Sequence, residues 1–198
     1  MSAAQRVGIL ALQGDFDAHA KLLLSLGAEP REVRVPGDLE GLDALIIPGG
    51  ESTVMTLGIE REGLAEPLRA LVRRGTPVLG TCAGMIMLDR DHLGVLDIDA
   101  RRNAFGRQLR SFETDIELAE LEGGPVHAVF IRAPWVQEHG DSVQVLATVD
   151  GHPVAVRQGN VIAVAFHPEL AGDARLHKLV LGLNGSGASD RSQGPAGG

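Results

Sequence analysis

The chain has 198 residues, 44% of them hydrophobic, a formal net charge of -8 and a single cysteine, Cys82. That length supports one domain with a substantial buried core. The acidic balance repels phosphate backbones and anionic lipid, and the basic pairs Arg73-Arg74 and Arg101-Arg102 are too short to reverse it, so neither nucleic acid nor a membrane surface is expected as partner. A lone cysteine excludes an internal disulfide and argues against a thiolate-rich zinc site. No apolar run approaches the roughly 20 residues needed to cross a bilayer, and no basic segment followed by an apolar stretch opens the chain, which points to the cytoplasm.

In chain order, residues 6–12 (RVGILAL) read as a buried strand closed by Gln13-Gly14. A helix follows, with Asp15 as its cap, Phe16, Ala20, Leu23 and Leu24 at helical spacing, and Gly27 as its stop. Strands are expected at 29–35 and 44–47, the second ending in Pro48-Gly49-Gly50, then helices at 52–60 and 64–74, a brief strand at 77–79 and a helix at 83–88. Such alternation implies a largely parallel sheet with helices on both faces. Beyond Asp99 the texture becomes β-rich, with strands at 112–118, 128–131, 143–149, 154–157 and 161–166. Asp150-Gly151 and Gln158-Gly159-Asn160 leave room only for tight turns, so some of these pair antiparallel. A last helix is expected at 173–183, and from Asn184 onward the chain is Gly, Ser, Ala, Asp and Pro, which reads as a disordered tail at 184–198 behind one domain at 1–183. The fold class is thus α/β: a three-layer sandwich with a mostly parallel central sheet and antiparallel strands in its C-terminal half.

By count alone Cys82 is a small core hydrophobe. Its setting differs: residues 78–85 (VLGTCAGM) have the form strand, G-x-C-x-G, helix, which is a nucleophile elbow with sulfur in place of a serine hydroxyl. A helix N-terminus beside Cys82 favours thiolate through its dipole and unpaired amides. At the end of the run 161–166 stands His167-Pro168-Glu169. In an extended chain, side chains two apart share a face, so Glu169 can hold one imidazole nitrogen of His167 while the other exchanges a proton with Cys82 and the departing amine. Pro168, lacking an N–H, suits a strand end. A histidine capping a strand, or a His–Glu metal pair with Cys82, are the alternatives at this point; no further ligand completes a metal set. Pro48-Gly49-Gly50-Glu51-Ser52 joins a strand to a helix, so the Gly50 N–H, with the Ala83 N–H beside the nucleophile, can bind an oxyanion.

These residues together resemble the class I glutamine amidotransferases, whose triad is Cys, His, Glu with an H-P-E end. P-G-G-E-S-T at 48–53, R-R-N-A-F-G-R-Q at 101–108 and F-I-R-A-P at 130–134 are similar to the glutaminase subunits of pyridoxal 5'-phosphate synthases, and the likeness spans about residues 6–183. The resemblance implies a Cys82, His167, Glu169 triad and a glutamine pocket of Gly50, Glu51, Ser52, Arg102, Ile131 and Arg132. It implies hydrolysis of L-glutamine to glutamate and ammonia through a cysteine thioester, with no cofactor. By the same resemblance the ammonia is expected to go to a barrel-shaped synthase subunit in a heteromeric complex that makes vitamin B6. Arg102 or Arg132 suits the substrate carboxylate and Glu51 its ammonium. Two features depart from the family: residues 88–99 are shorter than usual, and Val54 stands where a second threonine is common. The competing readings are the glutaminase of another synthase, such as that for imidazole glycerol phosphate, a stand-alone cysteine hydrolase, and a non-catalytic binding module. The hydrolase branch commonly has histidine directly after the cysteine, where this chain has Ala83, and a retired module would have lost a triad member.

Overall fold

In the computed structural model, residues 3–14, 16–105 and 111–186 are described. The first half runs β1 (Arg6–Leu10), α1 (Phe16–Ser25), β2 (Glu29–Val33), a 3-10 turn (Pro36–Leu39), β3 (Ala44–Ile47), α2 (Ser52–Arg61), α3 (Ala65–Arg73), β4 (Val78–Thr81) and α4 (Ala83–Leu88). The second half runs β5 (Ile98–Arg101), β6 (Ser111–Ile116), β7 (Val126–Ile131), β8 (Trp135–His139), β9 (Gln144–Val149), β10 (His152–Gln158), β11 (Val161–Val164), α5 (Pro168–Ala171) and α6 (Arg175–Ser186). Seven strands form the central sheet in the order β2-β1-β3-β4-β11-β10-β9. Pairing is parallel from β2 to β11, and β10 and β9 are added antiparallel through the two tight turns the sequence marks.

Strands β3, β4 and β11 are buried at every position, as near-continuous apolar runs require when both faces of a sheet are covered. The covering helices can be assigned from one dipeptide. Successive strand residues face opposite sides: the Thr81 hydroxyl lies 3.4 Å from His19 on α1, whereas a Cβ at Gly80 would meet Leu88 of α4 at 2.6 Å. Helix α1 and helix α6, which is bonded to it through His177, therefore occupy one face and α4 the other. This is the expected three-layer arrangement.

Not every C-terminal strand joins the main sheet. β5 pairs with β8 and β6 with β7 as separate antiparallel ribbons. Sequence reading misses β5 and β8 because each is short and β8 is exposed along three of its five residues, so no alternation shows. Four of the five phenylalanines and the one tryptophan clamp these ribbons to the sheet. Phe112 stacks on Phe130 at 4.5 Å, Phe105 meets Phe112 and Trp135 edge-on, both at 5.0 Å, and Phe130 reaches Phe166, just past the end of β11, at 5.6 Å. The last helix begins at Arg175 and continues to Ser186, three residues past the expected end at 183. The proposed Asp15 cap, Gly106 to Gln108 of the R-R-N-A-F-G-R-Q segment, and positions 187–198 of the expected tail lie outside the described residues.

The elbow depends on two glycines whose hydrogens touch backbone. A Cβ at Gly84 would lie 2.0 Å from the Ile47 carbonyl oxygen, and one at Gly80 would lie 2.8 Å from the Gly84 carbonyl oxygen. Those contacts let α4 start directly against β3 and β4. Gly84→Ala is expected to destabilise the protein by about 3 kcal/mol or more, at or above the upper end for overpacking, because the obstacle is main chain. Denaturant melts measure it, and a loss below about 1 kcal/mol would show that α4 shifts freely.

Candidate active site

The C-terminal ends of β1, β3, β4 and β11 emerge side by side on one edge of the sheet, where open α/β sheets place their ligand sites. Each end carries a motif read from the sequence: Gln13-Gly14, Pro48-Gly49-Gly50, Cys82 and His167. The first two loops interlock. The Gly49 carbonyl oxygen would be 1.9 Å from a Cβ on Gly14, and the Gln13 side-chain oxygen accepts the Glu51 N–H at 3.1 Å. Because C=O and N–H are antiparallel in a trans peptide, a Gly49 carbonyl turned toward Gly14 directs the Gly50 N–H away from that loop.

Cys82 has φ 50° and ψ -110°, a conformation that L residues adopt only at a cost of about 1–3 kcal/mol, so the surrounding packing imposes it. Its N–H donates to the Val164 carbonyl at 2.8 Å, and its thiol approaches the Ile131 carbonyl at 3.7 Å. His167 is fixed by its N–H, which donates to the Val129 carbonyl at 2.9 Å. Its Nδ1 lies 2.6 Å from Glu169 Oε1. The pairing expected from sequence is present, but its cause is different: the chain is not extended here. Pro168 is the first residue of the one-turn helix α5, with His167 as its N-cap and Gly172 as its left-handed C-cap, so helical curvature brings Glu169 back under the ring. Burial works against a charged His167, yet the hydrogen bonds and charges of Cys82 and Glu169 raise its pKa to about 10. At neutral pH the ring carries both protons.

Behind Glu169 lies a buried group that sequence reading did not single out. His19 on α1 and His177 on α6 are both 0% exposed, with His19 Nδ1 2.8 Å from His177 Nε2. His19 Nε2 faces Thr81 Oγ1 at 3.4 Å and Glu169 Oε2 at 3.5 Å. Burial pushes His19 down to about 4, against the attraction of Glu169 and with the repulsion of His177 and His167. Burial does the same to His177, also to about 4, against the attraction of Asp173. A histidine at helical spacing among apolar residues looks like ordinary core from sequence, and only the fold brings the two together.

In front of Cys82 opens a cleft of about 440 Å³, within the range of small-molecule sites. Its lining includes every residue expected there, namely Gly50, Glu51, Ser52, Cys82, Ala83, Arg102, Ile131, Arg132 and His167, and adds Ile86, Asn103 and Pro134. Asn103 and Pro134 belong to segments singled out in the sequence, while Ile86 follows from its position one turn into α4. Glu51 caps α2, accepting the Thr53 and Val54 N–H groups at 3.2 and 3.0 Å, and those bonds hold its carboxyl below the usual range. Each of its oxygens keeps a further lone pair. Arg102 donates to Thr53 Oγ1 at 3.3 Å and lies 3.2 Å from His92 Nε2, and the opposite nitrogen of His92 lies 2.7 Å from the buried Asp89. Asp89 also accepts the Asp91 and His92 N–H groups, so the short 88–99 segment is a closed loop that supports Arg102. Arg132 sits at φ 45° beside Ile131, and Val54 is 46% exposed on α2.

Residues 9–183 match the SNO glutamine amidotransferase family. The chain is 53% identical over 195 residues to the pyridoxal 5'-phosphate synthase subunit PdxT of Frankia alni, covering 94% of this chain and 98% of that protein. It is 54% identical over 191 residues to the subunit of the same name from Mycolicibacterium vanbaalenii, covering 90% and 97%. A crystal structure of a glutamine amidotransferase is similar with a TM-score of 0.85 and 48% identity, covering 90% of this chain and 98% of that one. Among the described residues no helix is long and apolar enough to cross a membrane.

The buried histidines imply a pH dependence with a definite sign. Both titrate near 4 in the folded protein and near 6.5 when unfolded, so between those values the unfolded chain binds protons that the folded one refuses. Their contribution to stability is constant above about pH 6.5 and falls as pH drops toward 4. Thermal melts between pH 7 and 4.5 should show a shallower decline for the His19→Gln/His177→Gln double variant than for the wild type. Parallel curves would contradict the depressed pKa values.

Proposed function

We infer, from the premise that this chain belongs to the SNO glutamine amidotransferase family, that it hydrolyses L-glutamine to L-glutamate and ammonia and feeds the ammonia to a pyridoxal 5'-phosphate synthase. The observation that carries the chemistry is the His167–Glu169 bond of 2.6 Å beside a cysteine held in a positive-φ elbow at the floor of the cleft. A single amidotransferase domain over 1–183 is supported by the extent of the family match.

In this reading Glu169 holds the Nδ1 proton of His167 and so presents Nε2 to the thiol and the substrate. The Nε2 proton of the His167 imidazolium is the one the Cys82 thiol has given up. The thiolate attacks the carboxamide carbon of glutamine, and the oxygen that gains charge is met by the N–H groups of Gly50 and Ala83, the latter free of an intrahelical partner at the start of α4. Collapse expels ammonia with the proton from His167 and leaves a thioester on Cys82. Water, deprotonated by His167, hydrolyses the thioester through a second oxyanion and releases glutamate. Arg102 or Arg132 binds the substrate carboxylate, and the outer lone pairs of Glu51 receive its ammonium. A stand-alone hydrolase is the weaker reading, since relatives about half identical over nearly their whole length are synthase subunits and Ala83 replaces the histidine of that branch.

The partner is a barrel-shaped synthase subunit in a heteromeric complex, and coupling follows from chemistry: ammonia released into water is protonated and loses its nucleophilicity. The Gly49-Gly50 peptide is the natural switch, because it packs against the Gln13-Gly14 loop and glycine adopts backbone angles closed to other residues. Docking against that loop sets the Gly50 N–H for the oxyanion only when a receiver is present. The test is glutamate release at saturating glutamine, with and without the synthase subunit. Wild type should gain severalfold from the partner, Cys82→Ala should release none, and Glu169→Gln should fall by roughly 10²- to 10⁴-fold. Equal rates with and without the partner would refute the coupling, and turnover by Cys82→Ala the covalent mechanism.

A further inference from the structure

We propose that His19 is a positioning residue for this reaction, donating its Nε2 proton to the far oxygen of Glu169, with His177 selecting the tautomer that allows it. The inference rests on the role given above to Glu169. That carboxylate has two oxygens. Oε1 is committed to His167, while Oε2 is buried and has no hydrogen-bond partner within normal geometry among the described residues. A buried carboxylate oxygen left bare is costly, and it needs a donor. The facing nitrogen is His19 Nε2 at 3.5 Å, a separation of the kind that tightens when substrate closes an active site.

One proton arrangement turns a donor toward the Glu169 carboxylate. A neutral imidazole has one N–H and one bare nitrogen. If Nδ1 of His19 carried the proton, a bare Nε2 lone pair would point at the Glu169 anion. With the proton on Nε2, it is attracted to Oε2, Thr81 Oγ1 at 3.4 Å is a second acceptor, and Nδ1 accepts from His177 Nε2–H at 2.8 Å. The cost falls on His177 Nδ1, which remains a buried acceptor with no partner among the described residues. An uncompensated atom at the end of a buried chain of side chains is a cost that the core would shed if the chain did nothing. Here the chain runs from α6 through α1 to the residue that orients His167.

His19 does not line the cleft, so it acts on the rate and not on substrate binding. Outer partners of an imidazole that must be held in one orientation are worth about 10- to 100-fold where they have been measured at metal sites. The test uses the full chain with its synthase subunit and reads glutamate release. His19→Leu keeps the apolar volume without a donor, and His19→Gln keeps an N–H that can reach Oε2. His19→Leu should lower kcat by about tenfold or more with KM within about twofold, and His19→Gln should recover most of that loss. Equal rates for the Leu and Gln variants, whether both high or both low, overturn the proposal. Glu169→Gln assayed alongside separates the two claims: if it is impaired while His19→Leu is not, only the role of His19 fails, and if it too is unimpaired, the role of Glu169 fails first. A measurement on the unaltered protein stands independently of variant folding. In ¹⁵N histidine NMR at neutral pH, His19 should be the neutral Nε2–H tautomer, and an imidazolium or Nδ1–H signal contradicts the proposal.

Discussion

The parallel ladder between β4 and β11 sets the distance on which the chemistry depends. Val164 is in register with Thr81, and the next bond, from the Cys82 N–H to the Val164 carbonyl, is the last one before both chains leave the sheet. Cys82 thus departs from β4 at the same level at which β11 releases His167. Neither side chain could be placed so closely by a loop alone, since loops vary in length and conformation while a ladder has one register. The crossing of 79 residues (82–160) between those strands, with its two antiparallel ribbons, is accommodated outside that pair and leaves their adjacency intact.

Around this pair the protein concentrates its strain and its unusual contacts. The positive φ of Cys82 holds only because Gly80 and Gly84 let α4 rest on the backbone of β3 and β4. The aromatic cluster from Phe105 to Phe166 ties β7, which ends at Ile131, to the residue that precedes His167. Ionisable groups that would ordinarily stay wet are taken inside in a line from His177 to Cys82. Burial raises their energetic stakes, and hydrogen bonds of defined direction are what they gain in return.

Much of this was legible in the chain. The flanked cysteine announced its elbow, and the buried runs at 44–47 and 161–164 announced central strands, because strictly apolar segments of that length have few other uses. His167 and Glu169 were legible as partners through proximity, although the reason given for it was wrong: a proline can end a strand or begin a helix, and sequence does not say which. Arg102 could be assigned to the pocket through resemblance, but not its support by His92 and Asp89, which depends on the closed turn of the short 88–99 loop. His19 and His177 are 158 positions apart, and no local pattern links them. Ribbon strands β5 and β8 escaped because β5 has only four residues and β8 is exposed along its last three, which leaves too short a run for alternation to be read.

What unites these features is a single claim, that Cys82 is the atom to which glutamine is transiently joined. It is the sole cysteine, which makes the claim unusually direct to examine. The chain, in complex with its synthase subunit, would be incubated with a glutamine analogue that carries a diazoketone in place of the amide, then digested and mapped by peptide mass spectrometry. The account predicts one adduct, on the peptide containing Cys82, suppressed by excess glutamine. An adduct elsewhere, or labelling of Cys82 that glutamine does not compete away, would contradict it.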